Sequence, residues 1–198
     1  DDNFGEASPL MDISRMRIQS RLGSLLEEGR VPVVTGFIGI TQNGDITTLG
    51  RGGSDYTATV LAVSLAANEV WLWSDVDGIM TTDPKIIKDA KVIPYLSYDE
   101  ALEMAVFGAK AMHPRALEPA AEQGIPVRVK NTFNPNSPGS LITRESKIKG
   151  RDVVKSVALI RDVGIINIAG GGMVGRPGTS AKIFDVLGRN NVNILMIS

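Results

Sequence analysis

The chain has 198 residues, 43% hydrophobic and 22% charged, which is the composition of a globular protein with one domain, or one domain and part of a second. Its formal net charge of -1 and its 5% aromatic content offer no basic surface for nucleic acid or an anionic membrane, and no base-stacking platform. Cysteine is absent, which excludes disulfides and thiolate metal sites and fits a reducing, cytoplasmic setting, and no apolar run approaches the roughly 20 residues of a membrane helix.

The opening, DDNFGEASPLMD, is polar and turn-prone, and the close, NVNILMIS, stops on an apolar run. Both are read as cuts within a longer polypeptide. Between Ile13 and Glu28, apolar residues recur at helical spacing, and Gly29 follows as a stop. VPVVTGFIGI is expected to be a buried strand, followed by an Asn-Gly turn in TQNGDITTLG. Ser54 to Ala67 is a small-residue helix, and EVWLWSDV is a second buried strand ending in a polar turn. LSYDEALEMAVFGAKAMHPRALEPAAEQG divides into two helices near His113-Pro114, and IPVRVKNTF is a strand. This alternation predicts an α/β fold, a mostly parallel sheet covered by helices on both faces, with ligand loops beyond the C-terminal strand ends.

The character changes after NPNSPGSLITRESKIKGRD, which is read as a linker or a basic edge strand. KSVALIRDVGIINIAG alternates as a long strand, GGMVGRPG is a glycine-rich loop, TSAKIFDVLGRN is an amphipathic helix and VNILMIS is a strand. That order is the first half of a small α+β module. The division expected is residues 1–149 and 150–198.

Three loops carry chemistry. In GRGGSD, glycines admit a ligand to the backbone and the following helix N-terminus favours negative charge. Arg51 can grip a carboxylate and Asp55 can accept from an ammonium, a pairing that suits a zwitterionic amino acid; a structural turn with a solvated Arg51–Asp55 pair is the alternative. In SDVDGIMTTDPK, Ser74 and Asp75 end a strand, where they could reach a ribose, and Lys85 could reach a phosphate; the alternative is a plain polar loop. In FGAKAMHP, Lys110 lies among small residues and is a candidate phosphate clamp, or one more solvated lysine. His113, the one histidine, is assigned a capping or packing role. The Walker pattern is absent, as is any metal-ligand cluster.

Together TLGRGGSDYTA, WSDVDGIMTTDPK, FGAKAMHP and VTGFIG resemble the aspartate kinases, which have the amino-acid kinase fold, a three-layer αβα sandwich. The likeness covers the C-terminal part of the kinase domain and runs on into a ferredoxin-like ACT regulatory module. It implies phosphoryl transfer from Mg-ATP to the side-chain carboxylate of L-aspartate. By the same resemblance Arg51, Ser54 and Asp55 hold aspartate; Ser74, Asp75, Met80, Lys85, Lys110 and Ala111 meet the nucleotide, with Lys110 also catalytic. It further implies an amino-acid effector, threonine or lysine, at Met173, Val174, Gly175, Asn193 and Ile194. Leu195 stands where some lysine-sensitive relatives carry aspartate, which speaks against lysine. A homodimer is the expected assembly. Met80, Lys85 and Ser74 replace the family's frequent tyrosine, arginine and threonine without threatening the activity class. The family's Lys-Phe-Gly-Gly-Thr-Ser motif is not in this sequence, so the chain alone is expected to be inactive. A non-catalytic regulatory chain and a kinase for N-acetylglutamate, glutamate or UMP are the competing readings.

Overall fold

The computed structural model describes residues 1–107, 112–145, 154–168 and 177–197. They fall into two compact units, Asp1–Ile160 and Arg161–Ser198.

The first unit opens with helix α1 (Met11–Glu27), which Gln19 ties to the next helix by donating from Nε2 to the Ser64 carbonyl at 2.8 Å. A two-stranded antiparallel pair follows, β1 (Ile38–Ile40) and β2 (Ile46–Thr48), closed by the Thr41–Asp45 turn with Gly44 at φ 94°. Helix α2 (Gly53–Ser64) leads into β3 (Val70–Ser74). After a long loop come β4 (Tyr95–Ser97) and α3 (Tyr98–Val106), then α4 (Pro114–Gln123), β5 (Val127–Asn131) and β6 (Ser140–Thr143). Helix α3 starts on a capping box: Ser97 Oγ accepts from the Glu100 N–H, and Glu100 returns a carboxylate oxygen to the Ser97 N–H. Helix α4 starts on a proline and ends on Gly124 in the left-handed conformation, each residue serving the end that suits it.

The main sheet has the order β3-β5-β6-β4. Its outer pairs are parallel and its central pair, β5 with β6, is antiparallel, so the sheet is mixed. Val70 and Leu72 of β3, Val127 and Val129 of β5, Leu96 and Ile142 share one core with Leu117 and Ala120 of α4. Burying each such side chain contributes about 1.5–3 kcal/mol, which is what fixes the strand faces.

Three expectations need correction. Residues 31–35 form no strand, and Val31 and Val33 are 87% and 96% exposed, so only the end of VPVVTGFIGI pairs. An apolar β-branched run forms a strand only where a neighbour receives its N–H and C=O groups. β3 is buried on one face only and pairs on one side among the described residues: Val70 and Leu72 are buried, while Trp71 and Trp73 are about half exposed, with Lys130 Nζ 5.0 and 5.5 Å from their ring centres. The segment read as a linker or a basic edge strand supplies β6, a strand inside the sheet that pairs on both sides.

In the second unit the expected helix is present as α5 (Thr179–Arg189), begun after Gly178 and braced by Arg189 on Asp185 at 2.9 Å. The two flanking strands are not: among the described residues 154–168 and 192–197 carry none. Alternation marks a face to bury, while a strand also requires a ladder partner, and these segments have none among the described residues. No described helix is long and apolar enough to cross a membrane.

Candidate functional site

The glycine loop is shaped by its neighbours. Gly52 is the residue before α2, at φ 72°, and a Cβ there would lie 2.4 Å from His113 Cβ. Gly53 opens the helix against Phe37 and Leu49, where a Cβ would lie 2.8 Å from the Phe37 ring. Neither position tolerates a side chain, which explains why this turn carries more glycine than its bend requires. Phe37 itself sits at φ 74°, an uncommon conformation for a bulky residue. It is held there because its N–H donates to Thr57 Oγ1 at 3.1 Å and its carbonyl accepts from the Leu49 N–H at 2.9 Å. VTGFIG therefore packs directly on the start of α2.

The first turn of α2 presents Ser54, exposed, and Asp55, half-buried, with Arg51 exposed just before it. Arg51 and Asp55 form no ion pair with each other among the described residues, so the solvated-pair alternative is not what the chain adopts. Burial pushes the Asp55 carboxyl above its ordinary value. An uncompensated carboxylate beside an exposed guanidinium, at a helix N-terminus, is a place for one cationic and one anionic group of a small ligand.

The second loop leaves β3 at Ser74, whose hydroxyl donates to Asp75 Oδ1 at 3.2 Å. Its return path is pinned. Asp77 Oδ1 accepts from Asn131 and Asn134, at 2.8 and 3.2 Å. Gly78, at φ 149°, lies over Ser140, where a Cβ would come within 2.5 Å of the hydroxyl oxygen. Fully buried Ser140 accepts from the Ile79 N–H at 2.8 Å and donates to the Ile93 carbonyl at 2.6 Å. Met80 bridges to Val92, and Lys85 is exposed beyond Asp83, whose carboxylate accepts from the Lys85 N–H. Asp77, Ser140 and Phe37 were not singled out in the sequence. For Ser140 there was no signal to find, because its partners lie 47 and 61 residues away.

The two loops are not joined to each other by any hydrogen bond or ion pair among Arg51, Ser54, Asp55, Ser74, Asp75, Met80 and Lys85. Lys110 and Ala111 lie outside the described residues, as do Met173, Val174 and Gly175. Asn193 and Ile194 are exposed, in the segment after α5. His113 packs on Gly52 as expected of a packing residue; its Nδ1 is buried with no hydrogen-bond partner among the described residues.

Residues 7–131 match the amino acid kinase family. The chain belongs to that family. Residues 166–198 match an ACT domain. Relatives of this amino acid kinase chain carry the name the motifs pointed to. It is 42% identical over 174 residues to "Aspartokinase 1, chloroplastic" of Arabidopsis thaliana, covering 87% of this chain and 30% of the relative. It is 39% identical over 201 residues to "Lysine-sensitive aspartokinase 3" of Escherichia coli, covering 100% of this chain and 43% of the relative. In fold it is similar to E. coli aspartokinase III in complex with aspartate and ADP, with a TM-score of 0.82, 38% identity, and coverage of 100% of this chain and 44% of that one. The same enzyme in complex with lysine and aspartate gives 0.77. The chain thus spans less than half the length of these relatives.

Proposed function

We propose that the protein is an aspartate kinase, transferring the terminal phosphoryl group of ATP to the side-chain carboxylate of L-aspartate. The observation that carries this is the α2 N-terminus, where a desolvated Asp55 with no ion partner among the described residues and Arg51 flank a glycine turn. Asp55 takes the α-ammonium, Arg51 the α-carboxylate with a two-pronged grip, and Ser54 a further hydrogen bond, leaving the side-chain carboxylate free to attack. Support comes from the aspartokinase relatives, one of them described with aspartate and ADP.

The nucleotide is assigned to the pinned loop: Ser74 and Asp75 toward the ribose, Met80 toward the base, Lys85 toward the phosphates, with Lys110 and Ala111 completing the site. Catalysis then consists of holding two anions in line and neutralising the charge that moves between them, which is work for cations and backbone N–H groups more than for a general base. Magnesium supplies further neutralisation when bound. Among the described residues no three His or acidic side chains converge to hold a metal, which fits an ion carried mainly by phosphate oxygens and water.

The division proposed is a kinase part at residues 1–149 and an ACT regulatory part at 150–198, with an amino-acid effector, threonine or lysine, near Met173–Gly175 and Asn193-Ile194. Homodimerisation is proposed with it, and so is a cytoplasmic place of action, in keeping with small polar reactants and a chain without cysteine. The test is acceptor choice, measured with this chain joined to a segment carrying the Lys-Phe-Gly-Gly-Thr-Ser motif, since the chain alone is expected to be inactive: ADP formation should depend on L-aspartate and not on glutamate, N-acetylglutamate or UMP. Turnover of any of those three in place of aspartate would refute it.

A further inference from the structure

Residues 50–55 are the loop just assigned to aspartate, and the inference here rests on that reading. Arg115, in the first turn of α4, brackets that loop from outside it. Its guanidinium lies 4.9 Å from the ring centre of Tyr56, the residue immediately after the loop. Its Nη1 donates to the carbonyl of Leu49, the residue immediately before the loop, at 3.4 Å. The other end of the fork is more tightly held: Nη2 donates to the Ala7 carbonyl at 2.8 Å and to Ser8 Oγ at 2.7 Å. Nη1 also reaches the Glu6 carbonyl at 3.5 Å. The segment it grips is paired with the loop's approach, since the Ala7 N–H donates to the Thr48 carbonyl at 3.0 Å. Ala7, Leu49, Tyr56 and Ala116 share one buried cluster beneath the fork.

Among the described residues Arg115 meets no carboxylate. All its polar partners are backbone carbonyls and one hydroxyl, with an aromatic face alongside, which is the work of a planar five-donor group and not of a point charge. Two residues earlier, His113 fills the space left by Gly52. The corner at His113–Arg115 therefore presses on the middle of the loop and holds both ends of it.

We propose that Arg115 is a positioning residue for the aspartate loop. It touches no reacting atom; it sets the orientation of Arg51 and Asp55 by fixing the residues on either side of them.

The test compares the motif-containing protein, as wild type, with its Arg115→Ala and Arg115→Lys variants by substrate kinetics and by amide hydrogen exchange of residues 50–56. Arg115→Ala should raise KM for aspartate roughly 10-fold while leaving KM for ATP within about twofold, and added guanidinium should recover part of the loss. Arg115→Lys, which keeps the charge but loses the fork, should fall between the two. Exchange should quicken at 50–56 in both variants and not in the later turns of α2. An unchanged KM for aspartate, or equal rises for both substrates, overturns the proposal. If the wild type does not use aspartate, the proposed activity fails instead, and exchange alone then decides: quickening confined to 50–56 supports the bracket, and no change or a uniform change across α2 overturns it. Should Arg115→Ala not fold, Arg115→Lys is read by the same two measurements.

Discussion

Asp55 is strained toward its neutral form in the free protein. Burial raises its carboxyl pKa, so between the ordinary carboxylate value and the raised one the folded chain binds more protons than the unfolded chain. Stability therefore falls as pH rises through that window, and the ionised group that results is the one an ammonium requires. Two consequences follow for Asp55→Asn. The unliganded fold should be no less stable than wild type at neutral pH, while the affinity for aspartate should drop by about 10- to 100-fold, the worth of a charge-assisted hydrogen bond. Wild-type affinity should also weaken on acidification through the raised pKa, and the variant should lose that dependence, which calorimetry across a pH series would record. At this scale the sequence was informative where charge chemistry decides. The spacing of Arg51 and Asp55 suits a zwitterion, but spacing alone left a structural turn with a solvated pair equally open. The fit of His113 into Gly52 was not legible, because a glycine shows that something comes close and never what does.

The loop assigned to the nucleotide is tied to the sheet by a buried hydroxyl as well as by Asp77. Ser140 on β6 joins the Ile79 N–H to the Ile93 carbonyl, and so ties both arms of the loop to the sheet. Ser140→Ala leaves that N–H and that carbonyl without this partner, at a cost of about 1–3 kcal/mol. Urea denaturation should show the loss in stability, and nucleotide affinity should fall with it while aspartate affinity holds. The helices were readable from start and stop signals: Ser97 with Glu100 opens α3, and Pro114 and Gly124 bound α4. The strands were less so. β6 hides in a stretch of turn residues: β5 lies just before it, but its other partner, β4, is far away in sequence. The alternating runs around α5 look like strands and are not, since alternation records a face and a ladder records a neighbour.

At the scale of the whole first unit, residues 155–157 are attached beside the loop assigned to the nucleotide. Val157 N–H and Ser156 Oγ both donate to the Thr81 carbonyl, at 2.9 and 3.0 Å, and Lys155 pairs with Glu100. Burial opposes ionisation of Glu100, yet Lys155 and the Ser97 N–H and hydroxyl outweigh it and hold the carboxyl below its usual value. This segment lies between the kinase and ACT matches, and residues 154–160 belong structurally to the first unit. That attachment was invisible in a stretch read only as the beginning of a strand. The fold class and the family were legible because four motifs keep their order along the chain, while the wiring between them depends on contacts that no local pattern encodes.

The measurement to make first is a calorimetric titration of the protein, loaded with magnesium and a non-hydrolysable ATP analogue, with L-aspartate and then separately with succinate, which has both carboxylates and no ammonium. Saturable binding of aspartate with succinate at least about 10-fold weaker would support the ammonium on Asp55 proposed for the α2 N-terminus. Succinate binding as tightly as aspartate, or no binding of aspartate at all, would contradict a zwitterion site in the glycine loop.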